Sequence, residues 1–295
     1  MKKNKIIQSL VGHSNLPFYL ECLSSIGDCS LDRINLLLHG DGTLRGNDIE
    51  LIYSKLGESC HLVNPNESIE ITMDQLVGYS NCQRFRKESI WGIEFFDPIF
   101  SQSDDPISYY LDADIMFLKP FSGLFDSSVV EGGAVFLRDK QWDAYCLRPW
   151  HLMARSKCPK VVEGITTALV FWDKNVIDWD YLEWFLGQNN FHAIPEWVLP
   201  TAQAGLATRC KAKAVDCKQL PNLYPNAQIT PDAFGVHLLG SYRKNWLPKI
   251  ERLQLRKNIT TKPIIANFKP CKNRGFAQYA LNQTKRWVNT RLNKW

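Results

Sequence analysis

Apolar runs of strand length alternate with stretches whose apolar residues recur at helical spacing through the first half of the chain, the pattern of β/α units around a mainly parallel sheet. KIIQSLVG predicts a first strand, LPFYLECLSSI a helix, and INLLLHGDG a second strand entering a turn. NDIELIYSKLG predicts a helix stopped by Gly57, and SCHLVNP a short third strand. One longer helix is expected over CQRFRKESIWGIEFF, with Phe85, Ser89 or Ile90, and Ile93 on one face, Arg84, Lys87 and Glu88 turned outward, and an end near Pro98. PISYYLD follows as a strand, then GGAVFLRD and TTALVFWDK as strands and DWDYLEWFLGQ as a helix, while EWVLPTAQAGLA is helix-like but interrupted by Pro200. No internal repeat or low-complexity linker divides these elements.

Two carboxylates break the pattern. In YYLDADIMFLKP, Asp112 and Asp114 sit inside an apolar run at the end of an expected strand. In extended chain they point the same way and Ala113 the other. Side by side they repel, and burying them uncompensated costs several kcal/mol. A hard divalent cation such as Mg²⁺ or Mn²⁺ removes both problems and keeps positions free for phosphate oxygens. The carboxyl end of a strand is also where open α/β sheets bind ligands. The plainer alternative is that the pair caps a strand end and binds water or surface arginines. An aspartate-nucleophile phosphatase would need Thr or Val where Met116 stands, and the motif on its first strand. A nucleotidyl transferase would need a Gly-rich basic loop, and no GxxxxGK[ST] occurs.

Composition narrows the class. A chain of 295 residues, 45% hydrophobic and 12% aromatic, buries a full core and excludes general disorder. The only apolar run near the start, Ile6 to Gly12, is too short for a signal sequence or a membrane span. Nine cysteines without a CxxC pair argue against a disulfide framework or a thiolate zinc site, and fit free thiols in a cytoplasmic protein. Charge is uneven. From Arg243 onward, 14 Lys and Arg face Glu251 alone, a local +13 that leaves −8 on the first 242 residues of a chain whose total is +5. The expected organisation is therefore a main domain over 1–245 and a basic, aromatic-containing extension over 246–295. FAQYALNQTKRWVNTRLNKW joins basic residues to Phe276, Tyr279, Trp287, Leu292 and Trp295, a composition suited to an anionic membrane surface at the inner face of the cytoplasmic membrane. Packing of the tail on the acidic main body is the alternative. Nucleic acid is not expected, because no recognition module accompanies the charge.

YYLDADIMFLKP resembles the DxD segment of GT-A glycosyltransferases, especially glycosyltransferase family eight. Four further stretches follow the same order: GHSNLPFYLECLSSI is similar to the opening strand and helix, CQRFRKES to the basic helix before the DxD strand, TTALVFWDK to a later Asn-Ser-Gly strand, and VHLLGSYRKNW to a C-terminal HxxGxxKPW element. The likeness spans roughly residues 5 to 246. It implies a Rossmann-like GT-A fold and transfer of a sugar from a nucleotide-diphosphate sugar, UDP favoured, to a saccharide or lipid-linked hydroxyl. It also implies His237 as a third ligand beside Asp112 and Asp114, with Mn²⁺ preferred over Mg²⁺.

The same resemblance assigns donor contacts to Gly12, His13, Asp41, Arg84, Lys87, Asp112, Ala113, Gly240, Arg243 and Lys244. Arg243 stands where the family has lysine, and Lys244 where it has proline. Thr166, Thr167 and Ala168 replace Asn-Ser-Gly, and Glu196-Trp197 the family's Asp-Gln pair. Glu196, Thr166 and Thr167 are accordingly the candidate catalytic set, with retaining stereochemistry implied. A catalytically silent saccharide-binding or assembly protein on the same fold is the rival class. It is distinguished by whether removing the two aspartates changes nucleotide-sugar turnover.

Overall fold

A computed structural model describes residues 4–101, 105–139, 145–147, 160–188, 195–240, 242–254 and 262–274, together with 277, 280–282, 284, 285 and 288. β1 (Lys5–Val11), α1 (Leu16–Cys29) and β2 (Ile34–Gly40) make the first parallel unit, followed by α2 (Gly46–Leu56) and β3 (Cys60–Leu62). Three helices then come in succession, α3 (Pro65–Gln75), α4 (Ser80–Glu88) and α5 (Ile90–Phe100), before β4 (Ile107–Leu111) and β5 (Ile115–Phe117). β6 (Phe121–Ser122), α6 (Ser127–Val130), β7 (Gly133–Arg138), β8 (Ile165–Asp173), α7 (Trp179–Leu186), α8 (Val198–Leu206) and β9 (Lys211–Val215) continue the chain. β10 (Gly235–His237), α9 (Arg243–Gln254), β11 (Ile264–Ile265) and β12 (Phe268–Pro270) complete it.

Eight strands form one sheet in the order β12-β9-β7-β8-β4-β1-β2-β3. All but β8 and β12 run in one direction, so the sheet is mainly parallel, as expected. Its strands bury both faces, and alternate residues divide between two cores. Val135, Leu137, Leu169 and Phe171 join the cluster under α1, whereas Ala134, Phe136, Val170 and Trp172 join the one under α5, α7 and α8. Each fully buried Leu or Phe there contributes about 1.5–3 kcal/mol. A third cluster packs Met116 and Leu118 against Val236, Leu238, Trp246 and Ile250, tying the β5–β10 ribbon to α9. Within 246–295, β11 pairs with β6 and β12 with β9. Phe276, Tyr279, Trp287, Leu292 and Trp295 lie outside the described residues.

Three local expectations are corrected. The long helix is two, α4 and α5, broken at Ser89, whose extended backbone (φ −134°) ends one while its hydroxyl accepts from Trp91 N–H to start the other. The buried positions of α4 are Cys82 and Arg86, while Phe85 is half-buried. α5 ends at Phe100, near Pro98 as expected. Finally, Asp112 and Asp114 are not inside a strand: β4 ends at Leu111, the two occupy a turn closed by Ile115 N–H donating to Asp112 C=O at 3.1 Å, and β5 begins beyond.

α3 carries no apolar stripe, since its buried residues are Ser68 and Thr72, which donate to Asp97 on α5. Its signal is instead the cap: Asn64 accepts from Asn66 N–H and Pro65 opens the first turn.

Candidate functional site

Pairing between distant strands assembles the site. β10 runs antiparallel to β5 with His237 beside Ile115, and Leu238 N–H donates to Asp114 C=O at 3.0 Å. That register carries His237 to the DxD turn, where one ligand atom from each of Asp112, Asp114 and His237 lies within 4.8 Å of the others. His237 Nε2 is 3.2 Å from Asp114 Oδ1, near enough for charge attraction. No well-formed hydrogen bond satisfies that buried oxygen. Arg243, at the start of α9, donates to Asp114 Oδ2 at 3.0 Å and lies 4.3 Å from the centre of the Phe18 ring.

Outer partners orient the ligands. Asn222 donates through Nδ2 to Arg138 C=O, so its Oδ1 accepts from His237 Nδ1–H at 2.7 Å, which directs Nε2 at the aspartates. Tyr110 O–H donates to Asp112 Oδ1 at 2.9 Å. Burial first, and the Asp114 charge second, push Asp112 up to about 7. Burial also opposes ionisation of Asp114, yet the His237 and Arg243 charges hold it below the usual carboxylate range. Burial works against the His237 cation, and the Asp114 charge outweighs it, raising the imidazole. Two hard oxygens and one imidazole nitrogen, one oxygen orphaned and the pair in mutual repulsion, suit Mn²⁺ or a similar divalent ion.

The remaining expected residues fall in several places. Gly12, His13 and Asp41 come together at the carboxyl ends of β1 and β2: a Cβ on Gly12 would lie 2.0 Å from Asp41 Oδ2, and Thr43 links Asp41 to His13 N–H. His13 also pairs with Asp48 at 2.9 Å. Thr166 and Thr167 lie where β8 slips register against β7, between Phe136 and Leu137. This bulge puts Ala168 C=O 2.7 Å from Asp112 N–H, and Thr167 beside the DxD turn. Ala113 is buried, Gly240 is exposed with open space where a Cβ would stand, and Lys244 is exposed. Arg84 and Lys87 are exposed on α4, with Arg84 donating to Asn81. Glu196 is exposed just before α8, and among the described residues no hydrogen bond or ion pair joins it to the three ligands.

Three residues around the site, and one buried pair on α4 and α5, escape notice in the sequence. Asn222 and Tyr110 support the ligands, Glu94 is buried on α5 beside Asp112, and Arg86 forms a buried fork with Asp97, Nη2 to Oδ2 at 2.7 Å. Only the spacing of Tyr110, two residues before Asp112, was available as a signal.

No family model matches the chain, and no curated protein does. Solved structures do. Mouse xyloside xylosyltransferase 1 in its apo form superposes with a TM-score of 0.54 at 11% identity, covering 90% of this chain and 97% of that one. The galactosyltransferase LgtC, in complex with donor and acceptor sugar analogs, superposes at 0.52 with 9% identity, covering 88% and 98%. The fold is therefore that of the GT-A glycosyltransferases, as the DxD resemblance implied.

Proposed function

We propose that this GT-A chain is a divalent-cation-dependent glycosyltransferase, moving a sugar from a nucleoside diphosphate sugar to a saccharide or lipid-linked hydroxyl. The observation that carries it is the convergence of Asp112, Asp114 and His237 at the carboxyl end of β4, with ligand atoms within 4.8 Å of one another. A bound Mn²⁺ would supply Lewis-acid neutralisation of the diphosphate as it leaves. The chain's own residues do the rest. Arg243 adds a fixed cation beside Asp114 for the developing negative charge, and Asn222 keeps Nε2 of His237 pointed inward. Thr166 and Thr167 offer hydroxyls to the donor sugar, and Gly12, His13 and Asp41 line the nucleoside end. Retaining transfer assisted by the leaving phosphate is the stereochemistry that likeness to family eight favours. UDP as carrier, a hexose as cargo, and a glycan or envelope polysaccharide as product rest on likeness to family eight.

Peripheral membrane attachment by the basic tail belongs to the same proposal. Leu281 and Val288 are exposed within it, and among the described residues no helix is long and apolar enough to cross a membrane. Calorimetry with UDP, with and without Mn²⁺, and donor hydrolysis assays test the reading. Asp112→Asn and Asp114→Asn should each abolish Mn²⁺-dependent UDP binding and lower turnover by about hundredfold or more. Unchanged turnover refutes the metal-dependent mechanism, and Mn²⁺–UDP binding without turnover on any acceptor favours the silent saccharide-binding alternative.

A further inference from the structure

Glu94 is a carboxylate that the mechanism above does not use. It is 6% exposed on α5, its carboxyl group lies beside Thr167, and the charges of Asp112 and Asp114 act on it. Its Oε1 is buried without a hydrogen-bond partner. Two other buried polar atoms share that condition: Trp172 Nε1 on β8 and Gln203 Oε1 on α8, in residues 2% and 3% exposed. Glu94, Trp172 and Gln203 line one cavity of about 10 Å³ together with Tyr110. A single water needs roughly 10–15 Å³ and two to four polar partners. One N–H donor facing two acceptors is the complement of a water, which accepts from the indole and donates a proton to each oxygen.

The helix that carries Glu94 is held on both sides. A Cβ on Gly92 would lie 2.4 Å from Phe85 C=O, so α5 sits directly against the α4 backbone. Three residues beyond Glu94, Asp97 takes both arms of Arg86 and the Ser68 hydroxyl. Glu94 therefore has little freedom to move away from Thr167.

We propose that Glu94 is a positioning residue of the transfer site, holding the Thr167 hydroxyl through one oxygen while a water shared with Trp172 and Gln203 fixes the other. This rests on the glycosyltransferase reading, in which Thr167 faces the donor sugar. A hydroxyl free to rotate meets the sugar in any orientation. With one hydrogen bond taken by Glu94, its remaining capacity is aimed, which lowers the entropy lost on reaching the transition state.

A double-mutant cycle tests the assignment, using Glu94→Ala, Thr167→Val and their combination in the full chain. Each single change should lower kcat/KM for the nucleotide sugar about tenfold, and the pair no further than Thr167→Val alone. Mn²⁺–UDP affinity by calorimetry should stay within about threefold of wild type, because the diphosphate end is untouched. Glu94→Gln, which can still bond both Thr167 and the water, should recover most of the loss. Melting temperatures of the metal-free proteins should show the same non-additivity without any ligand. Trp172→Phe keeps the ring and removes only the N–H, and should lower kcat with little change in melting.

Additive losses overturn the assignment, as does a Glu94→Gln protein no better than Glu94→Ala. An unaltered kcat in Trp172→Phe overturns the water bridge. Wild-type protein that neither binds Mn²⁺–UDP nor turns over a nucleotide sugar refutes the underlying reading, and this assignment with it, before any Glu94 variant is made.

Discussion

At the scale of single residues, Asp112 is a charge that folding does not favour by itself. Its carboxyl stands at about 7 because burial removes water and Asp114 adds negative charge. In the unfolded chain the same group titrates near ~3.9. Between the two values the folded state keeps a proton that the unfolded chain has released. Stability therefore falls as pH rises from about 4 to about 7, and stays reduced above that. Asp112→Asn is expected to raise the melting temperature by a few degrees at about pH 8 without metal, and to change it much less at about pH 4, where the folded carboxyl keeps its proton. Scanning calorimetry at the two pH values checks this. Added Mn²⁺ should stabilise the wild type and not the variant, since a ligand stabilises only the state it binds.

Among elements, the pair α4 and α5 decides how the buried groups on its face meet the sheet. Glu183 on α7 caps α4 from outside, accepting from the backbone N–H groups of Asn81 at 2.9 Å and Cys82 at 3.0 Å. Burial opposes ionisation of Glu183, but those N–H groups outweigh it and hold the carboxyl below its ordinary value. Because the folded value is the lower one, the cap's contribution is complete above the unfolded carboxylate value of ~4.3 and is lost as pH falls through the folded value. Glu183→Ala should cost about 1 kcal/mol in urea unfolding at neutral pH, and less in acid. Gly92→Ala attacks the same pair from the other side. Its Cβ has no room against Phe85 C=O, and a loss of about 1–3 kcal/mol in the same measurement is expected.

For the molecule as a whole, residues 262–274 lace the basic segment into the sheet. Cys271 N–H donates to Ala212 C=O, Glu163 N–H to Lys272 C=O, and Arg274 N–H to Val161 C=O, each at 2.8 or 2.9 Å. β12 also covers the edge of β9. Ending the chain at residue 262 should expose that edge, lower the melting temperature and promote aggregation, which light scattering reads. Ending it at residue 274 should leave melting unchanged. If the tail attaches to membranes, the same protein loses sedimentation with anionic vesicles, and retained sedimentation removes the membrane proposal.

What the sequence determined by itself was whatever repeats locally. Period-two and helical apolar spacing marked β1, α1, β2, α2, β4, β7, β8 and α7, because burial of one face or both imposes that rhythm on adjacent residues. The need of Asp112 and Asp114 for compensation was equally legible, since two carboxylates two residues apart in an apolar setting leave few ways to balance their charge, though not which of those ways is used. Where the inward positions are polar, the rhythm disappears. α3 buries Ser68 and Thr72, and α4 buries Arg86, because both serve Asp97 on α5. No window of sequence contains that ion pair and its donors together. Tertiary structure alone decided the turn that replaced a strand at the DxD, and the Asn222 bond that orients His237. It also decided the meeting of Glu94 with Thr167, 73 positions later in the chain. These depend on antiparallel register between β5 and β10, on a bulge in β8 and on tight contact at Gly92, interactions whose partners are close only once the sheet has formed.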